Sequence, residues 1–205
     1  MMMTAQIYLA SQSPRRSDLL MQLGINFQIL SLRADPRRLL DVDETPLPAE
    51  MPVDYVQRIC QAKARAGWGS MLHRNLPQMP LLSADTVVTL DNKIIGKPRD
   101  RADAALTLRL LSGRKHQVLS AVAVVLGESL QLRLSTTDVT FATLSEDRIQ
   151  RYLHSEEAHD KAGAYGIQGI AAAFVQRIEG SYSGVVGLPL YETAELLQSF
   201  GYPAP

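Results

Sequence analysis

The stretch Gln6-Ile7-Tyr8-Leu9-Ala10-Ser11-Gln12-Ser13-Pro14-Arg15-Arg16-Ser17-Asp18-Leu19-Leu20-Met21-Gln22-Leu23-Gly24 reads as a strand, a polar loop and a helix in direct succession. Residues 6–10 have the look of a short buried strand, and Leu19, Leu20 and Leu23 then recur with helical spacing. Ser13 stands at the N-cap. Pro14 takes the first helical position, where its missing N–H costs nothing, and Gly24 suits a left-handed C-terminal cap, so a helix is expected over 14–23. Two serines and two arginines therefore converge on a helix N-terminus, where backbone N–H groups and the macrodipole favour an anion. The alternative is a capped helix with Arg15 and Arg16 solvated on its first turn, although cations there oppose the dipole.

Outward from this unit the chain keeps alternating. A second strand is expected over 27–32, followed over 33–51 by a Pro-, Asp- and Glu-rich segment with neither period, read as a functional loop. Pro52 opens a helix on which Val53, Val56, Ile59 and Cys60 share a face, and Lys63 falls on the same stripe. Residues 81–90 read as a strand in which Asp85 and Thr86 interrupt apolar neighbours, and Asp91-Asn92 turns into 93–96. A helix over 101–111 has Asp100 as its cap and Gly113 past its end. Strands 117–126 and 130–141 pair through Gly127-Glu128-Ser129. Ser145 caps a helix to about His154, a Gly-rich stretch fills 163–169, and a strand over 173–178 precedes a last helix over 189–200. The fold class is α/β (α+β), with a mixed sheet flanked by helices in one domain spanning 1–205.

Composition narrows the function. The chain has 205 residues, 46% hydrophobic and 20% charged, with 21 Lys+Arg balancing 21 Asp+Glu, so any polyanion site must be local rather than a basic face for nucleic acid. Cys60 is the single cysteine, which excludes an intrachain disulfide and a Cys/His zinc framework and suits a reducing, cytoplasmic setting. No basic, apolar leader opens the sequence and the longest wholly apolar run is 121–126, so neither export nor a membrane span is expected.

Several residues can carry chemistry. An ionised Asp85 inside an apolar strand is costly unless paired, metal-bound or shifted in pKa; otherwise the strand ends at Ala84 and Asp85 caps a turn. Lys63 on an apolar stripe carries the same argument, weakened because lysine snorkels. Gly96-Lys97-Pro98 is not a Walker A loop, since Pro follows the lysine and the upstream glycine is missing. Gly163, Gly166 and Gly169 lack the dinucleotide spacing. His154 and His159 are five apart and do not form a helical zinc pair, and Cys60 reads as core packing. These features give basic groups and at least two acids where a metal-bound phosphate compound fits, without selecting a reaction.

Leu9-Ala10-Ser11-Gln12-Ser13-Pro14-Arg15-Arg16 closely resembles the opening signature of the Maf family of nucleoside triphosphate pyrophosphatases. Asp41-Val42-Asp43-Glu44-Thr45 is similar to the family's acidic loop, Ala62-Lys63-Ala64 to its helix lysine and Ser83-Ala84-Asp85-Thr86 to its central motif. Gly96-Lys97-Pro98-Arg99-Asp100 and Ser112-Gly113-Arg114-Lys115-His116-Gln117-Val118 follow in order. Asp160-Lys161-Ala162-Gly163-Ala164-Tyr165-Gly166-Ile167-Gln168-Gly169 looks like the version in the branch acting on dTTP and UTP. Ser83, Cys60 and Ser120 are small departures that remove no proposed catalytic group.

The resemblance implies two lobes around a nucleotide-binding cleft, commonly in a homodimer, and hydrolysis of a nucleoside triphosphate between the α and β phosphates with a divalent metal, usually Mg2+, with Mn2+ as an alternative. It implies catalytic roles for Asp85, Glu44, Lys63 and Lys97, with Glu44 and Asp85 as metal ligands and Asp85 also as proton acceptor. Ser11, Ser13, Arg15, Arg16, Thr86 and Gln168 would bind the substrate, and base choice is attributed to Arg15, Thr86 and Gln168. A glutamine side chain offers one donor and one acceptor to the O4 and N3–H edge of uracil or thymine. The rival expectation is a nucleotide-binding regulator of septum formation that does not turn over.

Overall fold

The computed structural model describes residues 6–32 and 41–204. It opens as the sequence suggests, with β1 (Gln6–Leu9) feeding α1 (Pro14–Gln22). Pro14 is the first helical residue and Ser13 the N-cap, but the Ser13 side chain makes no capping bond; its own N–H instead donates to Ser11 Oγ at 3.2 Å. Gly24 takes the left-handed conformation past the helix end, at φ 69°. The next strand, β2 (Asn26–Ile29), is shorter than the expected 27–32 and largely exposed, as its place at the sheet edge dictates. Part of the acidic loop expected over 33–51 lies outside the described residues, at 33–40; from 41 to 51 it carries no helix or strand.

The helix α2 (Pro52–His73) buries Val56, Ile59, Cys60, Ala64, Gly67 and Met71 in one stripe. Gly67 is what lets it approach the sheet closely: a Cβ there would stand 2.9 Å from Leu81 Cδ1 and 3.2 Å from Ala10 Cβ. Lys63, one turn earlier on the same face, is thereby carried against the central strand. That strand is β3 (Leu81–Leu90), turning into β4 (Lys93–Ile95). Beyond α3 (Arg101–Leu111), where the Asp100 side chain accepts the Asp103 N–H, β5 (Lys115–Leu126) and β6 (Ser129–Phe141) form the long hairpin. Ser145 caps α4 (Glu146–Leu153) by accepting the Arg148 N–H.

The C-terminal part differs in detail from expectation. The Gly-rich stretch contains a 3₁₀ turn at Ala162–Ala164, and a second one, Ile170–Phe174, takes residues expected to begin a strand, so β7 is Val175–Glu179. A short helix α5 (Tyr182–Val186), missed from sequence, precedes α6 (Leu190–Ser199). With five residues it is too short for a periodic signal.

Among the described residues one seven-stranded sheet runs β2-β1-β3-β5-β6-β7, with β4 also on β3. β1 is parallel to β2 and β3, while β3/β4, β3/β5, β5/β6 and β6/β7 are antiparallel. β1 covers only Leu81 and Leu82 of β3, and β4 covers only Val88, Thr89 and Leu90. Among the described residues, 83–87 consequently have a strand partner, β5, on one edge and none on the other. The core divides at the same place. On one face of β3, Leu82 and Ala84 pack with Leu19, Leu20 and Leu196, whereas Val88 and Leu90 pack with Leu108, Leu111 and Phe141. On the other face Leu81 and Val87 pack under α2 with Val56, Cys60 and Ala64. The two halves of the fold thus meet at Asp85 and Thr86, beside the open edge.

Candidate active site

Side chains alternate across a strand, so Asp85 and Thr86 point to opposite faces of β3. On the α2 face, Lys63 Nζ donates to Asp85 Oδ1 at 2.7 Å and lies 2.8 Å from Glu44 Oε1, joining the two acids through one ammonium. The Lys63 and Asp85 side chains are only 15% and 11% exposed, so the strand does continue through Asp85 and its charge is met by Lys63. Glu44, by contrast, is exposed on its loop.

That loop is held by the helix that carries the lysine. Tyr55 Oη donates to the Glu44 carbonyl at 3.0 Å, and Arg58 grips Glu50 with two bonds, Nε to Oε1 at 2.6 Å and Nη2 to Oε2 at 2.8 Å. Arg58 Nη2 also donates to the Thr45 carbonyl at 3.1 Å. Arg58 holds the Glu50 carboxyl down at about 2, while burial, with Asp85 and Glu44 adding to it, pushes the Tyr55 phenol up to about 12. Cys60 and Ser83 seal the packing one turn away: Ser83 Oγ donates to the Cys60 carbonyl at 2.9 Å, and burial raises the Cys60 thiol to about 11, which makes it an inert packing group.

On the opposite face Arg16 reaches from α1 to β3 and to the end of α5. Its Nε donates to the Gly187 carbonyl at 2.8 Å, Nη1 to Ser11 Oγ at 3.3 Å and Nη2 to Thr86 Oγ1 at 3.4 Å. Burial lowers the Arg16 pKa and Asp85 opposes that shift, so the guanidinium senses the carboxylate across the strand. Arginine stays charged regardless. Arg15 is half-buried, and it reinforces the Lys161 hydrogen bond in holding Asp160 below the usual carboxylate range.

The chemistry of this arrangement is legible. Two carboxylates and a lysine on one face, and a fixed guanidinium on the other, suit a polyanion whose charge needs cations and whose metal needs oxygen ligands. The Maf-like protein family matches the chain over residues 6–200. The chain belongs to the Maf family. A dTTP/UTP pyrophosphatase of Nitrosomonas europaea is 55% identical to this Maf protein over 195 residues, covering 95% of this chain and 94% of that one. One of Aromatoleum aromaticum is 52% identical over 200 residues, covering 97% of each. Among solved structures, the Staphylococcus aureus Ham1 protein resembles this chain at a TM-score of 0.45 and 12% identity, over 74% of this chain and 99% of that one.

Of the residues singled out in this Maf sequence, the structure brings Glu44, Lys63 and Asp85 into one cluster and Ser11, Arg16 and Thr86 into another. Ser13 is at the N-cap between them in sequence but outside these bonds. Lys97 is exposed between β4 and α3, on a segment tied to the Gly-rich stretch by Gly163 N–H donating to the Gly96 carbonyl at 3.1 Å. Gln168 is exposed beside Ile167, which is anchored in the core with Leu82 and Ala84. Sequence reasoning missed Tyr55, Arg58 and Gly187. Tyr55 and Arg58 sit on α2 eight and five residues before Lys63, and only the first of these spacings brings a side chain near the lysine's face; Gly187 contributes a carbonyl, which no side-chain pattern announces.

Proposed function

We propose that this Maf protein is a nucleoside triphosphate pyrophosphatase that converts dTTP and UTP to the monophosphate and pyrophosphate, removing such nucleotides from the pool. Full-length similarity to proteins named for that activity supports the reaction class. The observation that carries the assignment to these residues is the Glu44–Lys63–Asp85 cluster at the open edge of β3, with Arg16 behind it.

In this reading Arg16, Lys63 and Lys97 supply positive charge to the triphosphate, and Ser11 and Ser13 add donors at the α1 N-terminus. A water oxygen bonds to phosphorus as the α–β anhydride bond breaks, and its proton passes to Asp85. Glu44 and Asp85 both pair with the Lys63 ammonium, and two carboxylates brought so near one another are of the chemistry that would hold a hard divalent cation beside it. Mg2+ (or Mn2+), which keeps water and phosphate oxygens in its shell, is the ion of the proposal. Held there, the ion would neutralise charge on the phosphate oxygens.

Arg15, Thr86 and Gln168 are the base-selecting residues of the proposal. A site that pairs with the O4 and N3–H edge leaves polar groups unmatched when cytosine enters, and that mismatch rejects it. A homodimer and a cytoplasmic location belong to the same proposal and rest on family resemblance; no helix among the described residues is long and apolar enough to cross a membrane. Product analysis tests the whole: pyrophosphate and monophosphate from dTTP and UTP support it, and orthophosphate or no product overturns it.

A further inference from the structure

Behind Thr86 lies a hydrogen-bond chain that the proposed chemistry does not use. Ser120 faces Thr86 across the β3/β5 ladder, and its hydroxyl donates to the Gly184 carbonyl at 2.7 Å. A carbonyl can only accept, so the single Ser120 proton is committed there. The 2.9 Å contact between Thr86 Oγ1 and Ser120 Oγ is then one in which Thr86 donates and Ser120 accepts. With its proton turned inward, Thr86 offers lone pairs on its other side, where Arg16 Nη2 stands at 3.4 Å.

We propose that Ser120 is a positioning residue for Arg16, fixing the Thr86 hydroxyl as an acceptor so that the relay Arg16 Nη2 to Thr86 Oγ1 to Ser120 Oγ to Gly184 O locks the guanidinium. The same short helix closes the loop, since Gly187 O accepts Arg16 Nε at 2.8 Å. Ser120 is buried at 1% exposure and touches neither acid of the opposite face, so its influence travels through Thr86. Without its hydroxyl, the Thr86 proton has the Gly187 carbonyl at 3.4 Å within reach, the acceptor that Arg16 already occupies. The guanidinium then loses its bond to Thr86 or shares its bond to Gly187. The functional half of this inference rests on Arg16 gripping the triphosphate; the positioning half does not.

Two measurements separate these halves. In 15N-arginine NMR of the unliganded protein, rotation of the Arg16 Nη2 group is slow in the native chain, faster in Ser120→Ala, and slow again in Ser120→Thr. An Nη2 rotation rate that is unchanged in a folded Ser120→Ala overturns the proposal. Thr86→Val breaks the relay one link earlier and must give the same acceleration, which keeps the test decisive if Ser120→Ala does not fold. In UTP hydrolysis, Ser120→Ala raises KM about tenfold with kcat within about twofold, Ser120→Thr restores KM, and the Ser120→Ala effect disappears in an Arg16→Ala background. An effect that persists in full in that background shows that Ser120 acts elsewhere and overturns the proposal. If Arg16→Ala alone leaves KM unchanged, the triphosphate grip falls and the NMR result alone decides the positioning.

Discussion

Lys63 and Asp85 meet at 2.7 Å where α2 crosses β3, and the same lysine nitrogen reaches Glu44 at 2.8 Å. Removing the ammonium leaves two carboxylates facing one another with neither partner nor phosphate charge satisfied. Lys63→Met is expected to reduce UTP turnover by about a hundredfold or more and to lower Tm, read by steady-state pyrophosphate release and thermal melting. Turnover within threefold of the native protein would remove Lys63 from the reaction.

Arg16 and Gln168 are assigned different parts of the substrate. Arg16→Ala should weaken turnover of every triphosphate alike, because the phosphates are common to all. Gln168→Ala should change the ratio of UTP to CTP turnover. Parallel kcat/KM measurements over dTTP, UTP, CTP and the purine triphosphates check both, and a uniform loss in both variants contradicts the base-reading role.

Arg58 fastens the loop that delivers Glu44, and it holds Glu50 down at about 2 from an ordinary 4.5. A carboxyl with a depressed folded pKa contributes stability above its unfolded value, and that contribution disappears as pH falls from about 4.5 towards 2. Glu50→Gln should therefore be less stable than the native chain at pH 6 and approach it near pH 3. Urea midpoints at the two pH values measure the gap; an equal gap at both shows that the pair does not secure the fold. The variant should also lose activity at neutral pH as Glu44 loosens.

Gly163 has φ 72°, and an added Cβ would meet Val88 Cγ2 at 2.9 Å. Both the left-handed backbone and the stiff, β-branched neighbour oppose a side chain. Gly163→Ala should cost about 2 kcal/mol in denaturant unfolding, and a cost near zero would mean that the Gly-rich stretch readily repacks.

Much of this was legible in the sequence where local chemistry and tertiary structure agree. Pro14 and Gly24 bound α1, Asp100 and Ser145 cap their helices, and the apolar run that Asp85 and Thr86 interrupt marks a strand with a charge inside it. Lys63 on an apolar stripe pointed to a buried partner, and the partner is Asp85. What was hidden depends on long-range geometry. The uncovered edge of β3 arises because β1 pairs with it no further than Leu82 and β4 only from Val88 onward, which a strand's own residues do not encode. The Gly187 carbonyl, the brevity of α5 and the conversion of Ile170–Phe174 to a 3₁₀ turn are likewise set by neighbours rather than by pattern.

In the proposed reaction the cluster at the open edge of β3 hydrolyses dTTP and UTP through Asp85. The direct test is pyrophosphate release from UTP and dTTP with Mg2+, measured for the native protein and Asp85→Asn beside nucleotide binding to each. Pyrophosphate from the native protein, lost in Asp85→Asn while binding persists, is the predicted result. Unchanged turnover in Asp85→Asn, or binding without turnover in the native protein, would contradict this role of Asp85, and the second outcome would favour a nucleotide-sensing regulator.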